Sequence, residues 1–423
     1  MPGSPVQSAR DARLACVEEA FRTLPERYLG AHAGFDATYH VRLSDVGRTF
    51  EVRCSTHGAR VRRGVTRREP DVTITTDAET WLALREGRLS GIDAFSQRRL
   101  AVRGDVNLSL GFEGLFRLPS GRPPMLRVHE VRVGRTCVST LTMDNDGSDV
   151  VLIHGLGAAK SSFFDTAAAL HRAGHRVHAI DLPGFGGSSK PRTAPYTARW
   201  FAEAVVGVLD ALDIDRAHIV GNSMGGRVAL EVGLSAPERV QSLVLLSPAV
   251  AFVRRGFHPV VRLLRPEFGL LPHKIHSSMV RAQFWSMFAD ADAIDPAVAD
   301  VVVDEFQRIY ASAGARLAFL SAARNLYLDK PFGRGGFYPR LAGLQAPALF
   351  VWGTEDKLIP AAFRHHVARW LPSAEQIVLQ GCGHVPQVER PEQTNAMLQR
   401  FITRNEEHRT LELPAPVALR RAA

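Results

Sequence analysis

His218-Ile219-Val220-Gly221-Asn222-Ser223-Met224-Gly225-Gly226-Arg227-Val228-Ala229-Leu230 is the stretch on which the reading of this chain turns. A short apolar run enters Gly221 and a helical pattern leaves Gly225. Gly221, Ser223 and Gly225 match G-x-S-x-G, a pattern that needs a strand before it and a helix after it. The small residues at 221 and 225 let the backbone turn sharply. Ser223 is then expected to project its hydroxyl from the strand end, while the following helix aims its amides at developing negative charge. The alternative is a plain tight turn between strand and helix.

A serine hydroxyl is a weak nucleophile and needs a base. His384 stands in Gln380-Gly381-Cys382-Gly383-His384-Val385-Pro386, a loop after the strand-like Gln376 to Leu379. Asp356 stands in Trp352-Gly353-Thr354-Glu355-Asp356-Lys357, just past another strand-like run. A carboxylate there is expected to orient His384 and stabilise its imidazolium. Glu355 is a rival that only geometry separates from Asp356.

Working outward, continuous apolar runs recur at Val150–Ile153, His178–Ile180, His218–Val220, Leu243–Leu246 and Ala348–Trp352, with helical patterns between most of them. Short apolar strands separated by helices imply a mostly parallel sheet covered on both faces. Val128 to Val133 and Cys137 to Met143 read as an antiparallel pair ahead of it.

Two further pieces, His154-Gly155-Leu156-Gly157 and Asp181-Leu182-Pro183-Gly184-Phe185-Gly186-Gly187-Ser188, complete a set of motifs in fixed order. With them, residues 128–403 resemble the α/β-hydrolase family. The resemblance implies Ser223 as nucleophile, Asp356 as acid and His384 as base, with the backbone amides of Leu156 and Met224 as the oxyanion hole. Some relatives carry the acid after the preceding strand. Here that position reads Leu246-Ser247-Pro248, without a carboxylate.

Between Ala251 and Gly343 the strand–helix rhythm stops. The insertion carries Phe252, Phe257, Leu263, Leu264, Leu270, Leu271, Phe284, Trp285, Met287 and Phe288, and sits where the family places its cap. An apolar lid that excludes water is one reading; a helical subdomain with its own core is the other. Arg254, Arg255, Arg262 and Arg265 read as solvated.

Leu118-Pro119-Ser120-Gly121-Arg122-Pro123-Pro124 interrupts any helix or central strand. Residues 119–127 are therefore expected to be a linker between a domain at 1–118 and one at 128–405, each expected to fold alone. Residues 406–423, with Pro414 and Pro416, read as a flexible tail. Before the linker, Ala12 to Leu24 has a helical pattern. Ala37 to Leu43, Thr49 to Cys54, Ala59 to Val65 and Asp71 to Thr75 alternate like antiparallel strands. A capped helix from Asp77, a second short helix at Ile92 to Ser96, a strand at Leu100 to Val102 and an amphipathic Val106 to Phe116 follow. This order, over most of residues 10–118, resembles the sterol-carrier-protein-type lipid-binding domain. The resemblance implies a small α+β domain around an apolar tunnel. The alternative is that Trp81, Leu82, Leu84, Phe95 and Phe112 fill an ordinary core.

The bulk properties agree with two globular domains. Of 423 residues, 45% are hydrophobic and 22% charged, which excludes collagen-like, disordered and disulfide-stapled classes. No run of about 18 apolar residues suits a membrane helix, and the first residues lack the pattern of a secretory signal. The net charge of +9 is almost all arginine, with lysine only at 160, 190, 274, 330 and 357. The basic residues are interleaved with acids and no basic–aromatic motif occurs, so nucleic acid is not expected as a partner. Peripheral contact with an anionic membrane surface stays open. Cys16, Cys54, Cys137 and Cys382 stand far apart, as in a reduced, cytoplasmic protein. His365 and His366 lack a partner at ligand spacing, so no metal is expected. Gly155 to Ser161 has Ala159 where a phosphate loop needs glycine before Lys160, and Asp144 to Asp149 lacks the glycine and glutamate of a calcium loop. Asp181 reads as shaping its own turn, and His154 as bracing the loop after it.

Together these features predict a serine hydrolase that cleaves a carboxylic ester or thioester with an apolar acyl group through an acyl-enzyme, with no metal or organic cofactor. The partner is a small-molecule ester or lipid. Hydrolases that cleave carbon–carbon bonds in dienoates share the look of Gly221 to Gly226, but commonly carry Trp after the histidine, where this chain has Val385. Acyl transfer to an alcohol or peroxide is also compatible with these motifs, and so is a non-catalytic lipid-binding protein that has kept the fold. Acyl length, leaving group and oligomeric state stay open.

Overall fold

The structure is a computed structural model and describes residues 5–31, 34–252, 265–271 and 276–412. The N-terminal part has α1 (Pro5–Arg22), β1 (Asp36–Leu43), β2 (Arg48–Ser55), β3 (Gly58–Arg63), β4 (Val72–Thr76), α2 (Ala78–Glu86), α3 (Gly91–Ser96), β5 (Leu100–Gly104) and α4 (Val106–Gly114). Each of α2, α3 and α4 starts where a side chain satisfies an otherwise unpaired amide. Asp77 accepts from Thr80, Ser90 from Asp93 and Asp105 from Leu108. The strands form one sheet in the order β3-β2-β1-β4-β5. The expectation of four antiparallel strands needs correction: β4 runs parallel to β1, pairing Tyr39 with Val72 through Leu43 with Thr76. Period-two alternation fixes which face is buried, not which neighbour a strand finds.

The C-terminal part continues with β6 (Leu126–Val133), β7 (Thr136–Met143), β8 (Asp149–Ile153), α5 (Phe164–Arg172), β9 (Arg176–Ile180), α6 (Ala198–Ala211), β10 (Ala217–Asn222), α7 (Met224–Ser235) and β11 (Val240–Leu246). After the insertion come β12 (Ala348–Gly353) and β13 (Glu375–Leu379). The eight strands order as β13-β12-β11-β10-β8-β9-β7-β6. All pairs from β9 through β13 are parallel, and β6 and β7 add an antiparallel edge. The central strands are buried along nearly their whole length, as their continuous apolar runs require.

Between β11 and β12 stand α8 (Ser277–Trp285), α9 (Pro296–Tyr310), α10 (Ala313–Leu328) and α11 (Phe337–Leu341). Phe257, Leu263, Leu264, Arg254, Arg255 and Arg262 lie outside the described residues. Phe284, Phe288, Ile294 and Ala299 bury one another and also Val385, next to His384. The insertion thus has a small core of its own, built against the histidine loop.

Two boundaries differ from expectation. Leu126 and Arg127, taken as linker, already belong to β6, where Leu126 pairs with Met143. Residues 406–412, taken as tail, continue the last helix, Pro391–Glu412. Glu406 holds them in place, lying 3.5 Å from His218 Nε2 and 3.9 Å from His175 Nδ1. The rest of the expected tail lies outside the described residues. The domains also share a core. Ile92 is buried with Leu126, Leu141, Val150 and Phe163, Phe95 packs edge-on against Phe164, and α4 lies on β6. Gly111 and Gly114 face β6, and a Cβ added at Gly114 would sit 3.3 Å from Arg127 Cα.

Candidate active site

β10 delivers Ser223 to the sheet's carboxyl edge in a strained conformation, φ 53° and ψ −115°, which an L-residue adopts only when its surroundings impose it. The imposition is steric. A Cβ at Gly221 would meet Gly225 O at 2.3 Å, and one at Gly225 would meet Ile153 O at 2.0 Å. Hydrogen bonds complete it: Ser223 N donates to Leu246 O at 2.9 Å, and Ser223 O accepts from Arg227 and Ala249 at 3.1 and 2.8 Å. Ser223 is half-buried.

The turn after β12 buries Asp356 and leaves Glu355 exposed. Asp356 Oδ1 accepts from the amides of Leu358 and Ile359 at 2.9 and 2.8 Å, which fixes the carboxylate. Its Oδ2 lies 2.8 Å from His384 Nδ1. The histidine loop is fastened on three sides. Asn222, beside Ser223, donates its side-chain amide to His384 O at 3.1 Å. His384 N donates to Met287 O of the insertion at 2.7 Å. Glu389, unnoticed in the sequence, accepts from Gly383 N at 2.6 Å and from Ala289 N and Asp290 N at 2.7 and 2.9 Å. Nothing in the local pattern marks Glu389, because two of its three donors, Ala289 and Asp290, come from a segment about a hundred residues earlier.

The loop after β8 comes next to the serine. A Cβ at Gly155 would lie 3.3 Å from Ser223 Cβ, and Leu156 follows, half-buried. His154 braces this loop as expected. Its Nε2 accepts from Leu182 N at 3.0 Å, so its Nδ1 carries the proton and donates to Gly155 O at 2.7 Å. Burial holds the His154 pKa below the usual histidine range, which suits that neutral tautomer. Met224 opens α7, so its amide has no acceptor within the helix.

Asp181 does more than shape its turn. Besides Gly187 N at 2.8 Å, its carboxylate takes the backbone and side-chain nitrogens of Lys160 at 2.7 and 2.6 Å. Burial alone would raise the Asp181 pKa, but the Lys160 ammonium and its hydrogen bonds outweigh it and hold the carboxyl below its ordinary value. Lys160 is one of only five lysines, and its burial was not legible in the sequence.

A separate, small apolar cavity of about 70 Å³ lies in the N-terminal domain, between the sheet and α2, α3 and α4. Trp81, Phe112 and Val102 line it, with Phe164 and Val301 from the C-terminal part. It does not reach Ser223, Asp356 or His384. Two ionisable side chains, Arg85 and Glu113, line it too, and Arg85 Nε and Nη2 and Glu113 Oε1 are buried without hydrogen-bond partners.

Comparison with known proteins agrees with this architecture. The family model described as alpha/beta hydrolase fold matches residues 150–391, and that of the SCP-2 sterol transfer family matches residues 18–117. The chain is 32% identical over 260 residues to a 2-hydroxy-6-oxononadienedioate/2-hydroxy-6-oxononatrienedioate hydrolase of Paraburkholderia phymatum, covering 60% of this chain and 86% of that protein. It is 28% identical to a pimeloyl-[acyl-carrier protein] methyl ester esterase of Aeromonas hydrophila, covering 60% of this chain and 96% of the esterase. Among solved structures it is similar to a bacterial membrane phospholipase A, at 28% identity and TM-score 0.54, over 67% of this chain and 87% of that one. The chain belongs to the α/β-hydrolase family and carries, ahead of its hydrolase domain, a domain of the SCP-2 sterol transfer family.

Proposed function

We propose that this protein is a serine hydrolase that cleaves a carboxylic ester or thioester with an apolar acyl group. The observation that carries the reading is the 2.8 Å pair of His384 Nδ1 and Asp356 Oδ2, on a loop tied through Asn222 to the strained turn of Ser223. With Nδ1–H donated to Asp356, His384 presents Nε2 as a base. Ser223 Oγ attacks the acyl carbonyl and passes its proton to Nε2. The amides of Leu156 and Met224 hold the oxyanion. The leaving alcohol or thiol takes the proton from His384, and an acyl-enzyme remains. Water then loses a proton to His384 and attacks the acyl carbon; the acyl–Oγ bond breaks, His384 returns the proton to Ser223 Oγ, and the acid leaves. No step needs a cofactor.

The SCP-2-type domain ahead of the hydrolase domain favours a lipid substrate, as does the similarity to a phospholipase A. Relatives that open dienoates by carbon–carbon hydrolysis favour the second reading. Val385 weighs against it: that residue is packed into the apolar cluster of the insertion and offers no polar or aromatic group at the site.

The test is a turnover screen of the purified full-length chain. It covers p-nitrophenyl esters from two to sixteen carbons, the matching thioesters, and a 2-hydroxy-6-oxo-dienoate. Ester turnover that rises with chain length and disappears in Ser223→Ala supports the proposal. Turnover of the dienoate alone replaces it with the second reading.

A further inference from the structure

A buried polar network joins the N-terminal domain to the hydrolase domain and ends at the loop carrying Leu156. Lys160 opens the short 3-10 turn Lys160–Phe163 directly after this loop. Its side chain has no exposed surface. An ammonium group has three donors, and here each has its own acceptor: Asp181 Oδ2 at 2.6 Å, Ser139 Oγ at 3.0 Å, and the side-chain oxygen of Asn107. The first two belong to the hydrolase domain. Asn107 belongs to the first turn of α4, in the N-terminal domain.

The other end of the Asn107 amide points to the insertion. Its Nδ2 donates to Glu305 Oε1 of α9 at 3.2 Å. Glu305 Oε2 accepts from Arg308 Nε and Nη2 at 3.1 and 2.7 Å, and Arg308 Nη1 lies 2.7 Å from Asp105 Oδ2. Asp105 is also the N-cap of α4. The insertion in turn presses on the loop: a Cβ at Gly157 would meet Phe319 at 3.0 Å and Phe306 at 3.5 Å. Phe306 is the neighbour of Glu305. One amide side chain from the N-terminal domain therefore holds both the root of the loop and the helix that lies against it.

We propose that Asn107 is a positioning residue of the hydrolase site, by which the N-terminal domain fixes the loop that presents the Leu156 amide and the insertion helix above it. This inference rests on the assignment of Ser223 and of the Leu156 oxyanion donor. Without Asn107 one ammonium proton of the fully buried Lys160 side chain loses its acceptor, and a buried unpaired donor on a charged group is costly. The cheapest relief is a shift of Lys160, and the backbone shifts with it because the same residue begins the 3-10 turn. An oxyanion donor displaced by a fraction of an ångström loses much of its effect on the transition state while the acyl group still binds.

The experiment measures two rates in the full chain: second-order labelling of Ser223 by a small alkyl fluorophosphonate, and turnover of a short soluble ester. Asn107→Ala loses both the acceptor for Lys160 and the donor to Glu305, so it is expected to lower the labelling rate and kcat at least ~10-fold and to raise KM as Asn107→Asp does. Asn107→Asp keeps the acceptor for Lys160 but loses the donor to Glu305. It is expected to hold kcat and labelling within ~3-fold of wild type while KM rises, because only the insertion is released. Arg172→Ala removes an interdomain ion pair with Asp93 that is remote from this network, and is expected to leave both rates as they are. If Asn107 is only glue between domains, Asn107→Ala lowers the melting temperature and leaves the labelling rate at the wild-type value; that result overturns the inference. Should Asn107→Ala not fold, Asn107→Asp decides: a fall in kcat with unchanged KM removes Lys160 as the route. A wild-type chain that the probe does not label and that turns over no ester overturns the hydrolase reading as well.

Discussion

Lys160 and Asn107 belong to different domains, yet the ammonium of one donates to the side-chain oxygen of the other with no exposed surface at the lysine. Lys160 shares its site with Asp181, whose carboxylate also takes the Lys160 backbone amide. Cutting the chain between the domains thus opens a buried ion pair as well as the apolar seam where Ile92 meets Leu126 and Phe163.

The segment 126–412 alone is therefore expected to melt several degrees below the full chain and to turn over even a short soluble ester more slowly. A domain that served only to carry lipid would leave short-ester turnover untouched. Scanning calorimetry and kcat on a two-carbon ester, with full-length protein alongside, separate the two. Equal melting and equal kcat would remove the coupling.

Ser223→Ala is expected to reduce kcat at least ~10⁴-fold, since the triad acts as a unit. Stability carries a second readout. Ser223 sits at φ 53°, and Ala keeps the Cβ that makes this conformation costly. Ser223→Gly removes it and is expected to be more stable than Ser223→Ala by about 1–3 kcal/mol. Chemical denaturation of the two variants measures the difference. A glycine variant no more stable than the alanine variant would contradict the strain.

Asp356→Asn is expected to cost about 10³–10⁴-fold in kcat, because an amide supplies no charge to a protonated His384 and favours the wrong tautomer. Glu355→Gln is expected to stay within ~2-fold, as that side chain is exposed. Steady-state kinetics on one ester compare them. A reversed order would move the acid to Glu355.

Glu113 gives a pH signature remote from the active site. Burial in the apolar cavity pushes its pKa up from 4.5 to about 7, and the Gly91 amide and Arg85 offset only part of that. Between these values the folded chain holds a proton that the unfolded chain has released. This contribution to stability is complete below pH 4.5, is lost as the pH rises through about 7, and is flat above. Glu113→Gln is expected to remove that slope, so its stability relative to wild type rises between pH 5 and 8. Urea denaturation at several pH values in that window measures it. Parallel curves would place Glu113 in water.

The sequence by itself determined the elements that local chemistry controls. Gly221 and Gly225 are the only residue type that fits their contacts, so the turn around Ser223 is written in five letters. The apolar runs specified the parallel strands, because a strand buried on both faces must be apolar throughout. Asp356 was legible because it follows such a strand, and His384 because it stands in a glycine-flanked loop after the shorter edge strand β13. Tertiary structure decided what depends on partners distant in sequence. The parallel pairing of β1 with β4, Glu389 beneath the histidine loop, the docking of residues 406–412 by Glu406, and the meeting of Lys160 with Asn107 leave no local trace. A buried charge is tolerated only where the fold brings its counterpart, and nothing within a few residues of Lys160 or Asn107 announces which segment supplies it.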